Sequence, residues 1–260
     1  MTELEHERKP AEPGAELWLE PWHVAVLLSK RRSGKSTVMT VFAGAMVNQR
    51  IVFADVKCCY RMPGAYVARG VDELYACPPD VRKVHFIPVA VDTPGDRNAV
   101  EREWNAFFQW CFDQTDVTVV ADECVPMPMP ANGAPGMAVK YVEQGARNRN
   151  GLLACSGRWR GLMVALKSHA NVIGIFPGGL AADELDSAAK EMGEDLEAAA
   201  RELGCTSTKP LEQLRFLLAK TKELGPYACL LYLRDQNTFK IFQVPAELLD
   251  TAIAFEVAPA

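Results

Sequence analysis

The chain has 260 residues, 49% of them hydrophobic, and a formal net charge of −5. That length and apolar content suit a single α/β domain with a full core. No run approaches the ~20 apolar residues that span a membrane, and the acidic N-terminus lacks the apolar stretch of a signal peptide. The charge is uneven: residues 1–20 hold six acids and two bases and residues 183–202 eight acids and two bases, which leaves a net basic body. Such a body with acidic appendages suits a phosphate backbone better than uniform acidity does. Cys58, Cys59, Cys77, Cys111, Cys124, Cys155, Cys205 and Cys229 include no C-x-x-C pair, and several sit in apolar runs. They read as small core hydrophobes of a reducing cytosol, not as a zinc site or a disulfide framework.

Residues 1–15, with Pro10, Pro13 and Gly14 among charges, read as a disordered acidic tail before a single domain over 16–260. His23–Leu28 is an apolar run, predicted to be a strand that feeds Ser29-Lys-Arg-Arg-Ser-Gly-Lys-Ser36. This octet matches the phosphate-loop pattern G-x-x-x-x-G-K-[ST] except that Ser29 stands at the first glycine. Backbone N–H groups from Arg32 to Ser36 are placed to surround a β-phosphate at the start of a helix over 36–47, where the macrodipole favours an anion. Ser29 to Thr37, that is Ser29, Lys30, Arg31, Arg32, Ser33, Gly34, Lys35, Ser36 and Thr37, form the candidate nucleotide-binding segment. Lys35 reaches the β/γ-phosphates and the Ser36 hydroxyl holds Mg²⁺, so ATP and Mg²⁺ are the expected cofactors.

Further strands are expected at 50–55 and 83–87, a short helix at 71–77, and a helix at 97–114. The last carries Trp104, Phe107, Phe108, Cys111 and Phe112 on one face, an aromatic stripe read as core. Val117-Thr-Val-Val-Ala-Asp122-Glu123 is a β-branched run ending in two acids. It suits a buried parallel strand that delivers Asp122 to Mg²⁺ and Glu123 to the attacking water; the alternative is an ordinary solvated strand end. A GTPase pattern would favour Asp-x-x-Gly here. Strand-like runs between the two motifs also fit a sheet with a strand inserted between them. Residues 126–136, rich in Pro and Gly, form a loop that points into a pore, contacts a partner or is a passive connection.

A helix over 137–146 leads to Arg147-Asn-Arg-Asn150, a strand over 151–156, Gly157-Arg158-Trp159, a short helix to Ser168 and a strand over 171–176. The segment 144–159 resembles the part of FtsK/HerA-type ATPases where an arginine element precedes a strand ending in a sensor. Lys30 to Ser36 resembles the loop of the viral branch, the genome-packaging ATPases of large DNA viruses and membrane-containing phages. The resemblance covers residues 20–180. It implies an α/β P-loop NTPase of the additional-strand, catalytic-glutamate type: a three-layer sandwich with a largely parallel sheet and a C-terminal β-hairpin extension. It implies ATP hydrolysis coupled to double-stranded DNA translocation by a homo-oligomeric ring in the host cytoplasm or virion, with capsid or membrane-vertex proteins as further partners. It makes Glu123 and Lys35 catalytic, with Arg147 or Arg149 as a finger into the neighbouring subunit and Arg158 at the sensor position. The other reading of these arginines is a solvated basic edge or phosphate contacts to nucleic acid. Ser29 and Gly157, where a sensor glutamine is usual, depart from the family.

Residues 181–203 and 209–224 are expected as helices, the first with an Ala-rich stripe that packs on the core or on a neighbour. Strands at 227–233 and 238–242 make the hairpin. Two rival functions stand beside the motor: a P-loop nucleoside or small-molecule kinase, and a nucleotide-binding assembly protein that hydrolyses poorly.

Overall fold

The computed structural model describes residues 19–30, 33–45, 49–56, 60–90, 96–124, 132, 134–249 and 256–257. Arg31, Arg32, Cys58, Cys59, the 1–15 tail and residues 126–131 and 133 of the 126–136 loop lie outside the described residues.

Val24-Ala-Val-Leu-Leu28 forms β1, buried along its whole length, as a strand with both faces covered must be. It lies inside a nine-stranded sheet built from β2 (Arg50–Ala54), β4 (Tyr66–Arg69), β5 (Lys83–Ile87), β6 (Val117–Ala121), β7 (Gly151–Ser156), β8 (Val172–Ile175), β9 (Ala228–Leu233) and β10 (Thr238–Gln243). The order is β10-β9-β8-β1-β7-β6-β2-β5-β4. Every pairing from β8 to β4 is parallel, and β9 and β10 add antiparallel. This is the α/β P-loop NTPase fold with the C-terminal hairpin the sequence implies. A strand does separate β1 from β6, but it is β7, which follows both motifs in sequence. The runs between the motifs, β2 and β5, lie beyond β6 instead. Three short strands among the described residues were not legible: β4 at the sheet edge, and β3 (Tyr60–Arg61) and β11 (Glu256–Val257), which pair in a separate ribbon.

Helices cover the faces unequally. Alternate strand residues such as Val26, Leu28, Val119 and Ala154 face a larger core cluster. That cluster includes Trp104, Phe107 and Phe108 of α3 (Arg97–Phe112) and Tyr141 of α4 (Gly136–Gln144). It also takes the Ala188, Ala189, Met192, Leu196 stripe of α6 (Ala182–Glu202) and Leu214 and Leu217 of α7 (Pro210–Glu223). The α6 stripe thus packs on the protein's own core, with a kink at Gly193. The opposite face carries α1 (Lys35–Ala45), whose Val38, Met39, Val41 and Phe42 pack on Leu27, Phe53, Cys155 and Phe242. The remaining helices are short: α2 (Gly70–Tyr75), α5 (Val164–His169) and α8 (Ala246–Leu249). No helix among the described residues is long and apolar enough to cross a membrane.

Candidate active site

Parallel strands deliver their C-terminal ends to one edge of the sheet, and the two sequence motifs meet there. The backbone of Ser29 continues from β1, its N–H donating to Ser156 O at the end of β7 at 2.9 Å. The chain then turns through Gly34, at φ +86°, into α1. That left-handed conformation favours glycine. A Cβ there would also stand 2.9 Å from the ring of Tyr227, which covers the outside of the turn. Lys35, Ser36 and Thr37 open α1, so their N–H groups are among those a helix leaves without intrahelical acceptors, at its positive dipole end.

Ser29 is fully buried, and its hydroxyl bonds to Lys30 O at 2.6 Å and to the Ser33 hydroxyl across the loop. The departure from glycine therefore adds a side-chain clasp. Room for it comes from Gly179, in the turn after β8. A Cβ on Gly179 would lie 2.9 Å from Ser29 Cα, closer than real contacts come, and 3.1 Å from Ser29 Cβ, a tight approach. Gly179 was not singled out in the sequence, and its only signal there is a Pro-Gly-Gly turn.

At the end of β6, Asp122 is 6% exposed and receives Lys35 Nζ at Oδ1 (2.9 Å) and Ser36 Oγ at Oδ2 (3.2 Å). Glu123, held at φ 62°, places Oε1 3.7 Å from Lys35 Nζ. Left-handed backbone on a residue with a Cβ is a strain that clusters at functional sites. Burial alone would lower the Lys35 pKa, but neighbouring Cys155, Asp122 and Glu123 outweigh it and raise the value above the ordinary lysine range. Burial also pushes the Cys155 thiol well up. At neutral pH the two carboxylates therefore hold the ammonium charged.

A hydroxyl and a carboxylate, both hard oxygen donors, converge within 3.2 Å of each other at Ser36 and Asp122. That donor chemistry fits Mg²⁺, which takes one or two protein oxygens and completes its shell with water and phosphate. The cradle at the start of α1 fits a polyphosphate.

The three arginines separate. Arg158 is exposed beyond the end of β7, on the phosphate-loop edge, where its N–H donates to the Ser156 hydroxyl at 3.0 Å. Arg147 and Arg149 precede β7, so they lie at the opposite edge, a strand length of about 17 Å away. The turn that carries them is clamped by the buried Asn150, whose side chain bonds to Cys111 O, Gln114 O and Val117 N. Arg147 is exposed, and Arg149 pairs with Asp116 at 2.9 Å. Neither reaches the Lys35 site of its own chain. Lys30 is exposed, and Ser33, Ser36 and Thr37 are half-buried along the loop.

Two groups escaped the sequence. The Tyr60 hydroxyl donates to Asp122 Oδ2 at 2.5 Å, and the Tyr60 N–H donates to Asp55 Oδ2 at 2.9 Å. His85 Nε2 lies 3.1 Å from the same Asp55 oxygen.

No protein-family model matches the chain, and no curated protein matches it. Solved structures do resemble it. The genome packaging NTPase B204 from Sulfolobus turreted icosahedral virus 2, in complex with AMPPCP, aligns with a TM-score of 0.60 at 17% identity, over 87% of this chain and 100% of that one. B204 from Sulfolobus turreted icosahedral virus, described as a DNA-packaging ATPase, aligns with a TM-score of 0.57 at 14% identity over the same shares. At such identity the likeness is one of fold. It is the fold that the resemblance to the viral branch of the FtsK/HerA-type ATPases implies.

Proposed function

We propose that this chain is an ATP-hydrolysing motor that translocates double-stranded DNA as a homo-oligomeric ring, packaging a viral or phage genome. One observation carries the reading. Lys35, Ser36, Asp122 and Glu123, far apart in sequence, converge at one sheet edge with the geometry of a nucleotide hydrolase. The shared fold with B204, described in complex with AMPPCP and as a DNA-packaging ATPase, supports the same class.

In the proposed reaction the α1 N-terminus and Lys35 bind the β/γ-phosphates, which requires Lys35 to exchange Asp122 for phosphate oxygen. Ser36 and Asp122 would hold Mg²⁺, which would supply positive charge to the phosphate oxygens. Glu123 orients water and accepts its proton. Because Arg147 and Arg149 lie at the far edge, neither serves its own chain's nucleotide; one of them reaches the site of a neighbouring subunit, and Arg158, on the phosphate-loop edge, stands at the sensor position. DNA is gripped through its backbone, so binding weakens steeply with salt.

The test is ATP turnover with and without duplex DNA across a salt series. DNA stimulation that fades as salt rises is expected; no stimulation at low salt would remove the translocation reading. Glu123→Gln is expected to retain ATP binding and lose at least about 100-fold in turnover, the scale of general-base catalysis. Phosphorylation of a nucleoside acceptor would favour the kinase.

A further inference from the structure

We infer that Tyr60 is a positioning residue for the magnesium-binding carboxylate, and that the buried Asp55–His85 pair fixes it in place. The inference rests on the ATPase reading above and deepens it at one side chain.

Asp122 Oδ2 accepts from Ser36 at 3.2 Å and from Tyr60 at 2.5 Å, while Oδ1 accepts from Lys35 at 2.9 Å. These donors differ in what nucleotide does to them. In the proposed reaction Lys35 would exchange Asp122 for phosphate oxygen and Ser36 would share its oxygen with the metal, so neither is given over to Asp122 alone. Tyr60 is given no competing task. It sits on β3, beyond β2, and its ring packs edge-on to Phe53 at 5.3 Å. Its backbone N–H is tied to Asp55, which is 1% exposed and is also bonded to His85, 3% exposed, on the neighbouring strand β5. A buried carboxylate without partners would cost several kcal/mol, and this one is spent on holding β3 at the site edge.

The consequence is geometric. With Lys35 redirected, the Tyr60 hydroxyl would still fix one Asp122 oxygen and leave the other free to serve the metal. Hydrogen-bond partners behind a metal-binding carboxylate typically govern 10–100-fold in metal affinity or activity, so about tenfold is expected here. Asp55 and His85 act at one remove, through the position of the β3 backbone.

The experiment measures Mg²⁺ dependence of fluorescent ATP-analogue binding to the full chain, beside the same titration in chelator. Tyr60→Phe keeps the ring against Phe53 and removes only the hydroxyl. It is expected to raise the Mg²⁺ concentration needed for half-maximal binding about tenfold while leaving metal-free analogue affinity unchanged and lowering the melting temperature by only a few degrees. His85→Gln is expected to shift the Mg²⁺ requirement in the same direction by a smaller factor. Tyr75→Phe, at an exposed tyrosine far from the site, is expected to match wild type. A Tyr60→Phe titration superimposable on wild type would overturn the inference and leave the ATPase reading standing. Wild type that binds no analogue with or without Mg²⁺ would overturn the ATPase reading and the inference with it.

Discussion

At the C-terminal edge of the parallel strands Lys35 and Asp122 lie 2.9 Å apart with side chains 6% exposed; at the opposite edge Arg149 and Asp116 lie the same 2.9 Å apart at 54% and 41%. Equal geometry in unequal surroundings has unequal consequences. In a dry setting the attraction is strong, but each partner depends on the other to offset its lost hydration. In the open setting water screens both charges, so either can leave the pair at little cost. Under the proposed function the buried edge would hold charges for an incoming polyphosphate, while the open edge presents its charges outward.

The widest separation between the edges is expected in turnover. If the open edge serves a neighbour's site, Arg147→Ala loses on the order of 10³-fold in turnover, the lower end for arginine fingers, without losing nucleotide affinity. Mixing Arg147→Ala subunits with Glu123→Gln subunits then restores part of the activity, because some interfaces in a mixed ring join an intact arginine to an intact glutamate. Mixtures as inactive as each variant alone would break the two-edge picture.

Next in size is the cost of cutting each pair. Lys35→Ala leaves Asp122 buried without its cation and is expected to lower unfolding free energy by about 3 kcal/mol. Arg149→Ala is expected to cost less than about 1 kcal/mol, both read by denaturant titration. The raised Lys35 pKa makes its contribution complete below the ordinary lysine pKa and lost only above the folded value. The difference between the two variants should therefore be flat from pH 6 to pH 9, a range of about neutral solution.

An effect smaller than the loss of the buried pair concerns the phosphate loop's support. Gly179→Ala forces a Cβ against Ser29 and is expected to cost about 1–3 kcal/mol, seen as weaker nucleotide binding and a melting temperature lower by several degrees. Adding Ser29→Gly should recover part of it, since Ser29 Cβ is one of the atoms displaced. A double variant no better than the single one would separate the two positions.

Long apolar runs made most of the fold legible: β1, β2, β5, β6, β7 and β8 each bury both faces, so composition alone marks them. Residues that approach the site by register were not legible. Tyr60 stands on a two-residue strand with no periodicity, and Asp55 and His85 look like a strand end and a lone histidine until β2 and β5 pair. Gly179 is a turn glycine until Ser29 is seen against it. The meeting of Lys35, Ser36, Asp122 and Glu123 was legible because one motif begins a helix where a buried strand ends and the other ends a second parallel strand, which brings both to one sheet edge. The strand inserted between the two motifs was expected from the wrong segment, because sequence order and sheet order differ in a crossover fold.

The place of β1 has a consequence for how the molecule is made. It is the first strand of the sheet to leave the ribosome, yet both of its neighbours, β7 and β8, come from residues 151–156 and 172–175. Pairings so distant in sequence form late and slowly. Until then the strand exposes apolar surface on both faces, the condition that invites aggregation and chaperone capture. A nascent chain halted before Gly151 would hold the complete phosphate loop and the Asp122-Glu123 pair, and could pair β6, β2, β5 and β4, but would lack the β7 that joins β1 to them.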